Sequence, residues 1–401
     1  MTAMTAPTGD LPAPVEARGH FFGSRRECWR ILARDTLALI VTLGLYRFWV
    51  TTNVRRYMWS RTDLAGEQLD YTGDPAELLL GFLGLVVVLA PLIVLSALLS
   101  WATGDILVVV FTTYVPVILL ALLAVLALYQ ARRYRVNHTV FRGLRFRQTG
   151  SAWIYLLLVA LWSVVVVATL GLAYPWARAS LERYKARHTH FGDLRASFVG
   201  SGWDLFKRGF FLWLVVWSLP LLLLLAGLGA GDSGSRPQVI LGLSVLAVPW
   251  LALMVMIFYP FFRAMALRWR IAGMRLGALS LKADFRVWSF AKPYFKFYAW
   301  LVLLAIVVAI LGLAALVVIA VVARSIVTEV IGVVCLVIAY FGIATLMAFA
   351  YQATVRLETW RIIVDSLVIS GVDQLDRIKA PPDHDSPRTG RIGAAINLGG
   401  F

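Results

Sequence analysis

Residues 78–100 read LLLGFLGLVVVLAPLIVLSALLS and residues 106–129 read ILVVVFTTYVPVILLALLAVLALY, with no Asp, Glu, Lys or Arg in either run. At a rise of about 1.5 Å per residue, each can cross a hydrocarbon layer of about 30 Å. The short loop 101–105 joins them into a helical hairpin. Further charge-free runs cover 154–174, 210–229, 239–259, 297–323 and 330–351. They are continuous and do not alternate with period two, which argues against a transmembrane β-barrel.

Composition agrees. The 401 residues are 60% hydrophobic and 15% charged, with a mean hydropathy of +0.78, whereas soluble domains are about half apolar and about a quarter charged. The expected fold is all-α, a polytopic membrane bundle of six to eight spans. Residues 1–19 lack an apolar stretch beside a basic start and read as a disordered tail, as does 380–401. Between them we expect a first membrane repeat at 20–151, a second at 152–296, and a third hairpin with its basic connector at 297–379.

The net charge of +16 is unevenly spread. Loops 101–105, 230–238 and 324–329 hold only Arg236 and Arg324 as basic residues, while the other connectors are dense in arginine. Such segments stay cytoplasmic, which pairs six runs into three hairpins and places the C-terminus inside. Run 154–174 stands alone between two basic connectors and is expected to be re-entrant or interfacial. Residues 36–46 pose the same problem, because Arg34 and Asp35 shorten the apolar stretch.

Self-comparison reveals recurring connectors. Tyr174-Pro175-Trp176, Arg178 and Arg183-Tyr184 match Tyr259-Pro260-Phe261, Arg263 and Arg268-Trp269 at a constant offset of 85. Arg56-Tyr57, Thr62, Gly66 and Gly73 match Arg133-Tyr134, Thr139, Gly143 and Gly150 at 77, and Tyr57 to Tyr184 gives 127. Pro91 and Pro116 correspond to Pro220 and Pro249 at 129 and 133. A duplicated unit of about 130 residues accounts for these offsets. Alternation in 144–147 and 194–198 suggests a small strand within a connector.

An arginine beside an aromatic at a helix exit can meet a phosphate while the ring sits at headgroup level. Arg56, Tyr57, Arg133, Tyr134, Arg178, Arg183, Tyr184, Arg263, Arg268 and Trp269 are therefore candidate contacts for a lipid headgroup or other anion. Trp49 and Trp176 are candidate interface anchors. The prolines at 91, 116, 220 and 249 can bend their spans. Cys28 and Cys335 are too few for a disulfide framework, and His138, His188 and His190 lack the partners of a metal site. No cofactor or metal is expected, no nucleotide-binding or hydrolase motif occurs, and the lipid surface is the expected anionic partner in preference to nucleic acid.

Phe22-Gly23, Thr42-Leu43-Gly44-Leu45-Tyr46, Phe48-Trp49 and Arg56-Tyr57, with the second copy Thr169-Leu170-Gly171-Leu172 and Tyr174-Pro175-Trp176, resemble the YjgN-like family of bacterial inner-membrane proteins, a domain family of unknown function. The resemblance runs from about residue 20 to 361 and implies a bacterial cytoplasmic membrane. It supplies no catalytic residues. The expected protein is nonenzymatic, with a basic and aromatic cytoplasmic collar contacting anionic lipids or a partner. The alternative is a small transporter or channel, although the long spans hold no ionisable residue that would carry an ion in mid-membrane.

Overall fold

The computed structural model describes residues 16–42, 44–103, 105–229, 236–322 and 326–378. Strand β1 (Glu16–Phe21) leads to helices α1 (Arg25–Val41) and α2 (Arg47–Ser60), then to β2 (Thr62–Leu64), β3 (Glu67–Gln68) and β4 (Asp70–Tyr71). Helices α3 (Pro75–Thr103) and α4 (Ile106–Asn137) precede β5 (Thr139–Phe141) and β6 (Leu144–Gln148). Helices α5 (Ala152–Ala168) and α6 (Tyr174–Arg187) precede β7 (Thr189–Phe191) and β8 (Leu194–Phe198). Helices α7 (Gly202–Gly229) and α8 (Arg236–Gly273) precede β9 (Met274–Leu276) and β10 (Leu279–Ala283). Last come α9 (Val287–Val322), α10 (Ile326–Ala350), a π-helical turn Tyr351–Arg356, α11 (Leu357–Asp365) and β11 (Leu367–Ser370). The order, a helical hairpin and then a strand pair, recurs around the molecule.

The strands correct the all-α expectation. They form one antiparallel sheet of order β3-β2-β1-β11-β10-β9-β8-β7-β6-β5-β4. The two strands at the ends of that order, β3 and β4, are separated in the chain by Leu69 alone, so the sheet closes into a ring. Four strand pairs turn through two-residue loops with positive φ at Ala65 and Gly66, Arg142 and Gly143, Gly192, and Gly277, the geometry that matches the twist of tight hairpins. The fifth pair joins the first strand to the last, with Ala17 opposite Ile369, and β1 also pairs with β2, with Gly19 opposite Leu64. Residues 16–19, read from sequence as tail, thus belong to the ring. Their partners are remote in sequence, so local composition gives no sign of them. Residues 1–15 and the tail 380–401 lie outside the described residues, as does Arg324.

Every hairpin leaves from this ring and returns to it. Five helical stretches among the described residues are long and apolar enough to cross a membrane: Pro75–Thr103, Ile106–Asn137, Gly202–Leu223, Val245–Gly273 and Val287–Ala314. By this length and composition the chain is a multi-pass membrane protein. Pro91, Pro116, Pro220 and Pro249 all stand inside these long helices, and Pro260 and Pro293 do as well.

The two short hairpins differ. Helices α1 and α5 have 17 residues each and α2 and α6 have 14, about 25 Å and 21 Å of helix. Thr42 and Gly44 in the first, and Thr169 and Gly171 in the second, shape their turns. Gly44 (φ 90°) and Gly171 (φ 89°) donate N–H to Leu39 O at 2.8 Å and Val166 O at 2.7 Å, a left-handed helix stop suited to glycine. The Thr42 hydroxyl donates to Ala38 O and accepts from Tyr46 N, as the Thr169 hydroxyl donates to Val165 O and accepts from Ala173 N. One threonine therefore ends the first helix and starts the second. Run 154–174 and the segment 36–46 are arms of hairpins that begin and end at the same sheet. Within α1, Asp35 is buried, accepting from Asn53 of α2 at 2.8 Å, while Arg34 reaches back to it from an exposed position.

At the turn end of the ring, Phe141, Phe146 and Phe191 pack together, with centroids 4.4 to 6.0 Å apart. A 3-10 turn, Val372–Arg377, covers this end. Its Leu375 is buried in the core, Asp376 accepts from Arg142 at 2.6 Å, and Gln374 accepts from Ala278 N at 3.2 Å. The opposite end of the ring receives the helices.

Candidate functional site

The helices that lead into the first strand of each pair share a register, counted back from Thr62, Thr139, Thr189, Met274 and Leu367. Six residues back stand Arg56, Arg133, Arg183, Arg268 and Arg361; five back stand Tyr57, Tyr134, Tyr184, Trp269 and Ile362. These positions tie the ring to the helices. Arg56 donates to Gly73 O at 2.8 Å, Arg268 to Phe285 O at 3.3 Å and Asp284 at 2.8 Å, and Arg361 to Gly23 O, in each case where its own strand pair ends.

The neighbouring ring grips the end of the preceding pair. Tyr57 hydroxyl meets Ser24 N at 2.6 Å and Tyr134 hydroxyl meets Asp74 N at 2.9 Å. Tyr184 donates to Ser151 O at 2.7 Å and Trp269 to Ser201 O at 2.8 Å. Tyr134 and Trp269 are buried, and Arg183 is exposed. Most of the arginine–aromatic pairs singled out from sequence thus hold backbone. Arg361, the fifth arginine of the set, escaped sequence comparison because Ile362 replaces the aromatic that marks the other four. His138 and His188 also repeat one role, each Nδ1 lying 2.8 Å from the carbonyl four residues back.

One residue earlier, the helix has turned by about 100° and faces inward. Seven residues back stand Arg55, Arg132, Glu182, Leu267 and Trp360; four back stand Met58, Arg135, Lys185, Arg270 and Ile363. Eleven back, Arg178, Arg263 and Arg356 complete the inner face. Lys185 donates to Glu182 at 2.7 Å, and Arg178 and Arg270 each lie 3.9 Å from the same carboxylate oxygen. Glu182 is 2% exposed and Lys185 7%. Burial alone would raise the Glu182 pKa, but Lys185, Arg270, Arg132 and Arg178 outweigh it and hold the carboxyl down at about 2. Burial pushes Lys185 the other way from its usual range, down to about 7, against the attraction of Glu182. Arg356 is lowered to about 10 by burial and then by Arg55.

Of the residues predicted from sequence, Arg178 and Arg263 belong to this inner face. Arg263 reaches the hydroxyls of Tyr294 at 2.6 Å, Tyr259 at 3.4 Å and Tyr351 at 3.5 Å. Arg263 and Arg270 also line a cavity of about 250 Å³, together with Thr62, Thr359 and Trp360. Sequence reasoning missed Arg55, Arg132 and Lys185, whose signal was a spacing of three to four residues along one helix face.

A second set of residues lies outside. The first turns of α5, α7 and α9 present Trp153, Trp203 and Trp288 at the same register, three residues past Gly150, Gly200 and Phe285, and all are exposed. Lys207 lies 5.5 Å from the Trp203 ring centroid, and Arg208, Lys292 and Lys296 are exposed nearby in sequence. The predicted anchor Trp176 packs on Trp203 and Phe206, and Trp49 stacks on Tyr46 at 5.4 Å. Between the α5–α6 turn and helices α7 and α8 lies an apolar cavity of about 310 Å³, lined by residues including Leu172, Tyr174, Phe206, Trp213, Tyr259 and Phe262. Among the described residues, no three His, Cys, Asp or Glu side chains come together as a metal site.

The family described as "bacterial protein of unknown function (DUF898)" matches over residues 16–295. No curated protein and no solved structure matches the chain.

Proposed function

The chain belongs to that bacterial family of unknown function, and from this premise we propose that it is a nonenzymatic protein of the cytoplasmic membrane whose basic, aromatic collar contacts anionic lipids. The observation that carries the reading is the recurrence of exposed Trp153, Trp203 and Trp288 at the first turns of the outgoing helices. Tryptophan is favoured at the headgroup level, where its ring is apolar and its N–H remains wet. Lys207, Arg208, Lys292 and Lys296 lie on the two following turns, within reach of lipid phosphates. The apolar cavity beside the α5–α6 turn, lined by Leu172, Phe206 and Trp213 among others, suits an acyl chain.

In this reading the ring faces the cytoplasm, because all the arginine-rich connectors belong to it and such segments are retained there. The recurrence reads as one helical hairpin with one strand pair, and the offset near 130 residues counts two such units. The test is lipid enrichment around the protein in mixed phosphatidylcholine and phosphatidylglycerol nanodiscs, counted by native mass spectrometry. Enrichment of phosphatidylglycerol should fall when Lys207, Arg208, Lys292 and Lys296 are changed to glutamine. Equal enrichment in wild type and variant rejects the collar.

The second reading, a small transporter or channel, draws on the helices that surround the inner cationic face. Saturable solute flux in proteoliposomes would favour it over the first.

A further inference from the structure

The inner face has charges that do not balance. Helices α2, α4, α6 and α8 contain a single acidic residue, Glu182, set against the arginines and Lys185 described above. These cations lie in one another's fields. Arg55 acts on Arg135 and Arg356, while Arg132 acts on Glu182, Lys185 and Arg270. Removing a guanidinium from water is costly unless its charge and its N–H groups are matched.

Several polar atoms in this region have no protein partner. Arg55 is 2% exposed; its Nη1 donates to Tyr71 at 3.3 Å, but its Nε has no acceptor. Arg132, which holds the same register in α4, likewise lacks an acceptor for Nε. Three residues before each, on the same helix face, stand Thr52 and Tyr129; the Thr52 hydroxyl is buried without a partner, and the buried Tyr129 hydroxyl lies against Tyr184. Gln148, the register equivalent of Tyr71, is 1% exposed and has neither amide atom paired. Buried polar groups in native interiors are ordinarily satisfied, and here their gaps recur at matched positions.

A ligand that satisfied them would accept from several donors and carry more than one negative charge. A carboxylate offers two oxygens and one charge. A phosphoryl group offers more of both and matches the guanidinium fork. We propose that the inner face of these helices, centred on Arg55 and Arg132, is a binding site for a phosphoryl anion, supplied by free phosphate or by a lipid headgroup. The site uses residues other than the exposed collar, and either can hold without the other.

The test uses the purified full chain in phosphatidylcholine nanodiscs. One arm titrates inorganic pyrophosphate by calorimetry at constant ionic strength; the other incorporates phosphatidic acid and counts retained molecules by native mass spectrometry. Saturable binding at one per chain is expected in one arm, and the arm identifies the source. Arg55→Gln and Arg132→Gln should each weaken it about tenfold or more, as expected for loss of a charged hydrogen bond, while Arg145→Gln, at an exposed position of β6, leaves it unchanged. Should the arginine variants fail to fold, Gln148→Leu decides, because an idle amide could be replaced without loss of affinity. Absence of saturable binding by wild type in both arms overturns the site, as does undiminished affinity in folded Arg55→Gln, Arg132→Gln or Gln148→Leu protein.

Discussion

The β carbon that Gly19 lacks would stand 2.7 Å from the carbonyl oxygen of Val364. Gly19 is where β1 passes from pairing with β11 to pairing with β2, so this close approach falls where the first strand is tied to the last. Gly19→Val should destabilise the protein by about 1–3 kcal/mol through overpacking against backbone. Gly84→Ala, with nothing within 4 Å of the added carbon, is the control. Thermal unfolding should show a lowered midpoint for the first and no loss for the second.

Tyr134 holds the entry of α3 in the same way that Tyr57 holds that of α1. Its hydroxyl accepts from Asp74 N at 2.9 Å and lies 3.2 Å from Asp74 O. Tyr134→Phe should cost about 1–3 kcal/mol, because a half-buried N–H loses its acceptor. Hydrogen exchange should quicken at Asp74, while phosphatidylglycerol enrichment stays unchanged. A fall in enrichment with no change at Asp74 would assign this ring to lipid instead.

The long spans were legible because hydrocarbon imposes a length and a composition, as in residues 78–100. The ring was not, because its strands are two to six residues long and its closure joins residue 17 to residue 369. Self-comparison found Arg56-Tyr57 and its relatives, whose repetition comes from holding backbone at equivalent corners. Arg55 and Arg132 escaped because the inner face varies between units: the same register holds Glu182, Leu267 and Trp360. On the inner face Arg55 and Arg132 still match at an offset of 77, while the other three units depart from them.

Glu182 and Lys185 form a buried pair at 2.7 Å. Glu182→Gln should destabilise by about 3–5 kcal/mol, because it leaves Lys185, Arg178 and Arg270 facing one another without a carboxylate. Adding Lys185→Met should recover a large part of that loss. Unfolding of the single and double variants in detergent measures the coupling, and independent, additive effects would refute it.

The same pair sets a pH dependence. Lys185 loses its proton near pH 7 in the folded protein against an ordinary value of 10.5. Between these values the unfolded chain binds more protons, so this group makes stability rise with pH from about 7 towards 10.5. Glu182 has the opposite window: its contribution is full above 4.5 and is lost as pH falls towards about 2. Lys185→Met should flatten the upper slope in unfolding midpoints measured across pH. An unchanged slope would place its origin elsewhere.

The α5–α6 hairpin makes a topological prediction that separates it from a true span. Strand β6 feeds α5, α6 feeds β7, and Phe146 of β6 pairs with Phe191 of β7, so both ends of the hairpin lie on one side. In a Cys28→Ala, Cys335→Ala background, single cysteines at Thr149 and Arg187, both exposed, should react with an impermeant maleimide from the same face of the membrane. A cysteine at Ala102, at the far end of α3, should react from the other, since α3 has 29 residues and α5 only 17. Seventeen residues reach about 25 Å, short of a hydrocarbon layer of about 30 Å. A cysteine at Leu170, in the turn, should therefore resist the reagent from both faces. Labelling of Thr149 and Arg187 from opposite faces would contradict a ring that lies on one side of the bilayer.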